Sequence, residues 1–318
     1  MSWLREFWPW FLGAFIVCTV LFILYTLFFS NRPTVRQFTY KETPQAKLTL
    51  EVHLPRDWSE DDRRPAVLFF FGGGWISGGI EHFSWQADYL ARRGIVAVRV
   101  DYRVDSRHHT TPDKAVEDGF DAFLWLQRHA AELGINPQQI VSSGASAGGH
   151  IAACLAMCNH PAGIDMSSMR PALLVLFNPV LNLVNPTVEE EFTSREIELI
   201  GMMPEPAVTG LSPNLHIDGS TPPTLLMFGD RDGLLAQGNF FAEKALSEGV
   251  PTTLLTAQGQ KHGFFNREPW RSATTLAMDH FLLGQGYLSG TPLIDEAVTD
   301  MTFDKKAGKE KTLIEKQR

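Results

Sequence analysis

The chain opens on an apolar run, Trp8–Phe29, that contains no charged residue, and after Asn31 changes to short apolar segments set between polar ones. At about 1.5 Å per residue a helix over that run crosses a hydrocarbon core of about 30 Å. Trp8, Trp10 and Tyr25 near its ends suit the membrane interface. The pattern predicts a single-pass signal anchor over 8–29, with residues 1–7 as a flank and 30–37 as a polar linker. A cleaved signal peptide is the competing reading; the length of the run and its Phe28-Phe29-Ser30 end argue against it. Arg5, partly offset by Glu6, precedes the run, whereas Arg32, Arg36 and Lys41 follow it. The following domain is expected on the extracytoplasmic side, but this charge count does not support that orientation.

Beyond the linker, Phe38–Thr43 and Leu48–Leu54 alternate apolar and polar residues, which predicts an antiparallel edge hairpin. Ala66–Phe71, Ile95–Val100, Leu173–Phe177, Thr224–Phe228 and Thr252–Thr256 are continuous apolar runs of strand length, as in parallel strands buried on both faces. Helical spacing marks Trp85–Arg93, Pro112–Leu133, Asn239–Ser247 and Arg271–Leu283. Alternating strands and helices imply an α/β domain, 38–289, with a doubly wound, mostly parallel sheet. The alternation breaks between Asn178 and Pro222, where a small cap insertion of about 179–222 is expected, with one helix near Glu189–Ile200. Residues 290–318 become polar, and Thr302–Arg318 is lysine-rich, the composition of a fraying tail.

A net charge of −8 argues against a nucleic-acid partner. Three cysteines cannot build a disulfide framework, and Cys154, Met157 and Cys158 read as the core face of one helix. No Cys/His spacing suggests a metal site, and the chemistry below needs no cofactor.

Candidate chemistry centres on Val141–His150, VSSGASAGGH, a β-branched run, a turn rich in small residues and a helical stretch. Gly144-Ala145-Ser146-Ala147-Gly148 fits a nucleophile elbow, in which small neighbours let a serine sit on a strained strand-to-helix turn. Serine acyl transfer also needs a base, an acid that orients it and donors for the oxyanion. Gly229-Asp230-Arg231-Asp232 and Lys261-His262-Gly263 each follow a strand, in the order Ser, Asp, His expected of this chemistry.

The segments GGGW (72–75), GASAGGH (144–150), GDRD (229–232) and KHGFF (261–265), in that order, resemble the α/β-hydrolase esterases of the hormone-sensitive-lipase type and bacterial carbohydrate-associated esterases. The similarity covers roughly Thr34 to Leu288. It implies Ser146 as nucleophile, Asp232 rather than Asp230 as acid, His262 as base, and backbone donors at Gly73, Gly74 and Ala147. Phe71 stands where the family commonly carries a histidine that steadies the glycine loop, a departure that bears on loop rigidity and not on the reaction. Ala145 likewise replaces a common acidic residue. Trp75 either lines the acyl pocket or packs beneath the loop. Tyr102, Arg103, His108 and His109 either touch a leaving alcohol or form a solvated loop.

These features lead to the expectation of a membrane-anchored serine carboxylesterase for small-molecule or glycan esters, short acyl groups and acetylated sugars being what the resemblance implies. An amidase or peptidase on the same triad, and a non-catalytic tethered binding module, are the alternatives.

Overall fold

The structure, a computed structural model, describes residues 15, 17–20, 33–166, 168–184, 192–295 and 303–307. Among these residues no helix is long and apolar enough to cross a membrane. The expected anchor, 8–29, lies outside the described residues except for 15 and 17–20.

The described strands form one nine-stranded sheet in the order β1-β2-β4-β3-β5-β6-β7-β8-β9. Strands β3 (Arg64–Phe70), β4 (Val96–Val100), β5 (Ile135–Ala145), β6 (Leu173–Phe177), β7 (Thr224–Gly229) and β8 (Thr252–Ala257) pair in parallel. The edges are antiparallel: β1 (Thr34–Glu42) on β2 (Lys47–Leu54), β2 on β4, and β9 (Phe303–Ala307) on β8. Side chains alternate across β3. Ala66, Leu68 and Phe70 join a core with Phe120 and Ile151, whereas Val67 and Phe69 join another with Leu90 and Met278. Those partners lie on α3 (Pro112–Arg128) and α4 (Ala147–Met157) for one face, and on α1 (Ser84–Arg92) and α8 (Trp270–Gly284) for the other. A short α2 spans Asp105–His108 and α7 spans Leu235–Ser247. Both faces of the sheet are thus covered, which is why its strands read as unbroken apolar runs.

Several boundaries differ from the sequence pattern. Strand β1 starts at Thr34, so 34–37 belong to the domain and not to a linker; its Thr34, Arg36 and Gln37 are exposed on an edge, where polar residues hide the alternation. Helix α3 stops at Arg128 instead of Leu133, because the chain turns at His129 and reverses through Gly134 at φ 61°. Within the expected tail, Phe303–Ala307 is an edge strand whose Asp304, Lys305 and Lys306 are exposed, a charged edge that discourages further pairing.

The insertion carries α5 (Ser194–Gly201), α6 (Glu205–Gly210) and a 3₁₀ turn at Pro213–Leu215. Helix α5 begins later than the expected Glu189, at a capping box in which Thr193 and Glu196 satisfy each other's backbone N–H groups. Glu117, Asp118 and Asp121 converge within reach of a single cation. Lys41 supplies it, with Nζ 2.9, 2.8 and 2.6 Å from their carboxylate oxygens. This pairing and the Lys114 ammonium hold Glu117 down at about 2 against the desolvation that opposes them.

Candidate active site

Strand β5 ends at Ala145 and α4 starts at Ala147, so Ser146 is the whole of the turn between them, at φ 52° and ψ −121°. That is a left-handed conformation a serine adopts only when its surroundings impose it. Here they do: Ser146 N–H donates to Phe177 O at 3.0 Å, and Ser146 O accepts from His150 N–H at 2.9 Å and Val180 N–H at 3.2 Å. A Cβ on Gly148 would lie 2.2 Å from both Phe70 O and Phe71 O, so only glycine lets α4 approach β3 this closely. Within Val141–His150 every residue except Ser146 is buried. The elbow thus presents Ser146 at the C-terminal edge of the sheet, at the positive end of α4.

The glycine loop leaves β3 beside it. A Cβ on Gly72 would sit 3.5 Å from Ser146 Cβ and 3.1 Å from Ala145 O. Gly73 (φ 137°), Gly74 (φ 63°) and Trp75 (φ 59°) all have positive φ, and Gly73 O accepts from Ile76 N–H and Ser77 N–H, both at 3.0 Å. The histidine absent at Phe71 is replaced by two devices. Phe71 stacks on Tyr102 at 3.9 Å, and the Tyr102 hydroxyl donates to Phe71 O at 2.6 Å. Gly72 N–H donates to His82 Nδ1 at 3.0 Å, while His82 Nε2 is 2.6 Å from Asn266 Oδ1. Burial pushes the His82 ring below its ordinary range, with the Asn266 bond opposing, which keeps the ring neutral and Nδ1 able to accept.

His262 follows β8 and Asp232 follows β7. His262 Nδ1 lies 2.9 Å from Asp232 Oδ2 and 3.1 Å from Oδ1, and Leu234 N–H donates to Oδ1 at 3.0 Å. Asp232 is buried, whereas Asp230 is exposed. The opposite edge of the imidazole, Nε2, is 3.3 Å from Asn178 Nδ2.

Trp75 is 1% exposed and packs edge-on against His150 at 5.3 Å, which puts it beneath the loop rather than at an open surface. His150 is fully enclosed and pushed down to about 4 by burial, against the bond of its Nε2 to Leu211 O at 2.6 Å. Tyr102 and Arg103 form no solvated loop: Tyr102 is buried, and Arg103 pairs with Asp118 through Nη2 and Nε at 2.7 and 2.8 Å. His108 instead closes its own turn, its Nδ1 accepting from Val104 N–H at 3.0 Å. Cys154 on α4 and Cys158 at its C-terminal cap lie in the core, where burial raises the Cys154 thiol well above its usual range.

The insertion touches the site directly. Glu196 Oε1 lies where a Cβ on Gly74 would come within 2.3 Å of it. Arg195 donates through Nε and Nη2 to Asp105 Oδ2 at 3.0 and 2.8 Å, and Asp105 N–H donates to Trp75 O at 2.8 Å. Asn178, His82, Arg195 and Glu196 escaped the sequence reading. Only Asn178 had a signal there: it follows a buried parallel strand, as Asp232 does, at the sheet edge where such folds collect functional residues.

An α/β protein with a doubly wound sheet, a strained serine turn, a glycine loop and a histidine paired with a buried carboxylate at one sheet edge belongs to the hydrolase class of this architecture. A family model described as the alpha/beta hydrolase fold matches residues 67–266, and the chain belongs to that family. Esterase LipU of Mycobacterium tuberculosis is 29% identical over 223 residues, covering 64% of this chain and 71% of the relative. Carboxylesterase NlhH of the same organism is 28% identical, covering 64% and 68%. Among solved structures, Thermogutta terrifontis esterase 2 phosphonylated by sarin is 36% identical with a TM-score of 0.75, covering 81% of this chain and 98% of that one. Its propionate-bound form has a TM-score of 0.72 at the same identity, covering 81% and 96%.

Proposed function

We propose that this carboxylic ester hydrolase cleaves short acyl esters through an acyl-enzyme formed on Ser146. The observation that carries the reading is the strained Ser146 turn, held against the glycine loop at the sheet edge that also bears the His262–Asp232 pair. His262 Nε2 takes the hydroxyl proton as Ser146 Oγ attacks the ester carbonyl, and the Gly73, Gly74 and Ala147 amides meet the oxyanion. Collapse expels the alcohol, which receives the proton back from His262; water then repeats the sequence to release the acid. Asp232 holds the proton on Nδ1 and stabilises the imidazolium. Short acyl groups are supported by the propionate-bound and butyrate-bound forms of the Thermogutta esterase. The likeness of GGGW and HGFF to carbohydrate-associated esterases supports sugar hydroxyls as the alcohol part.

An active-site fluorophosphonate is expected to label the folded chain at Ser146 and not the Ser146→Ala variant, with turnover highest for acetyl to butyryl esters. Absence of labelling in folded protein would sink the mechanism and favour a binding module. Faster turnover of matched amides would make the chain an amidase.

We also propose that residues 8–29 tether the enzyme to a membrane, with the catalytic domain outside the cytoplasm; the charge-free run supports the tether, while the flanking charges do not favour that side. The full chain is expected in the carbonate-washed membrane pellet and a chain lacking residues 1–32 in the supernatant. Recovery of both in the supernatant removes the tether, and protease digestion of intact cells reads the side.

A further inference from the structure

We infer that Asn178 is a positioning residue that holds the His262 imidazole in the tautomer a base requires; this rests on the reading of His262 as the base. Asn178 follows β6, is 1% exposed and has φ 37°, a left-handed conformation that asparagine tolerates better than most residues. Its N–H donates to Met227 O at 2.7 Å, which locks that backbone onto β7. One neighbour, Phe177, accepts the Ser146 N–H, and the next but one, Val180, donates to Ser146 O. The side chain reaches the other way, to the loop carrying the base: Oδ1 accepts from Gly263 N–H at 3.3 Å, and Nδ2 lies 3.3 Å from His262 Nε2. Asn178 therefore spans the gap between nucleophile turn and base loop, two segments far apart in sequence.

The amide's orientation follows from its partners. Turning it over would set an NH₂ against the Gly263 N–H, donor against donor, so Nδ2 must face the imidazole. A donor at Nε2 requires a bare lone pair there, and the ring proton then sits on Nδ1, shared with Asp232. That is the protonation state from which Nε2 can take the serine proton. Once Nε2 carries a proton it faces an N–H of Asn178, which disfavours the imidazolium on that side and promotes return of the proton to the leaving alcohol.

The test compares Asn178→Ala with Asn178→Asp, which keeps the shape and the acceptor for Gly263 N–H but replaces the donor at Nε2 by a carboxylate oxygen. Asn178→Ala is expected to lower kcat about tenfold with KM within about twofold. The acid limb of its kcat/KM profile should move to higher pH, and in Asn178→Asp it should move further, by about one pH unit or more. A purely structural role would lower Tm and kcat in both variants and leave the limb in place. Titration of the His262 ring nitrogens by NMR gives the same comparison in a variant too slow to assay. An unmoved limb and unmoved ring titration in folded Asn178→Asp overturn the inference. The base assignment fails separately, if His262→Ala retains wild-type kcat.

Discussion

Asp232→Asn is expected to lower kcat by about 10⁴-fold, whereas Asp230→Asn stays within about threefold of wild type. The two carboxylates are separated by one residue, yet the fold treats them oppositely: Asp232 is buried and 2.9 Å from His262 Nδ1, and Asp230 is exposed. An asparagine at 232 still fits the space and still accepts from Leu234 N–H, which donates to Oδ1 at 3.0 Å, so the fold survives. What it loses is the charge. Its NH₂ can also pair with Nδ1 only when the ring proton has moved to Nε2, where it blocks attack. Steady-state kinetics of both variants, with Tm measured beside them, decides the matter. Equal losses, or a larger one at Asp230, would show that Asp232 is not the acid.

Gly73→Ala is expected to lower kcat by about 10²–10³-fold with a small change in KM, because oxyanion donors are used chiefly in the transition state. The added Cβ would fall 2.2 Å from Ser77 O and 2.7 Å from Ser77 C, both backbone atoms that cannot swing aside. At φ 137° the backbone is also one that only glycine adopts freely. The turn closed by Gly73 O with Ile76 and Ser77 N–H must therefore open, and the amides at 73 and 74 turn with it. Gly73 is exposed and lies outside the sheet, so circular dichroism should remain that of the wild type. Gly201→Ala, whose Cβ would meet nothing within 4 Å, is the matched control. Normal kcat in folded Gly73→Ala would leave the N-terminal end of α4 as the sole oxyanion donor.

The central sheet was legible because burial on both faces writes itself into composition. Leu173–Phe177 was read with the bounds it has in the structure, and β7 and β8 to within a residue. The edge hairpin was legible from its alternation, but the start of β1 and all of β9 were not, since they place Arg36, Gln37, Lys305 and Lys306 in water, where a strand has no apolar pattern to read. The elbow, the carboxylate and the histidine were visible for a different reason. Each follows a buried strand directly, so local order along the chain already places it at the sheet's C-terminal edge.

The chain's own order of strands, helices and glycine turns determined the fold class, the Ser146 turn and the edge to which Asp232 and His262 come. Local order does not separate Asp230 from Asp232, which have the same neighbours in sequence; the resemblance implied Asp232, and only the tertiary structure shows why it and not Asp230 is the one buried against His262. Tertiary structure also decided what steadies a glycine loop without its usual histidine. His82 reaches Gly72 across a turn and binds Asn266 from a segment 184 residues away, while Tyr102 holds Phe71 O from below. Such bonds join side chains that no periodicity relates. They exist only once the sheet has brought the ends of β3, β4, β6 and β8 to one edge, and it is there that Asn178 meets His262.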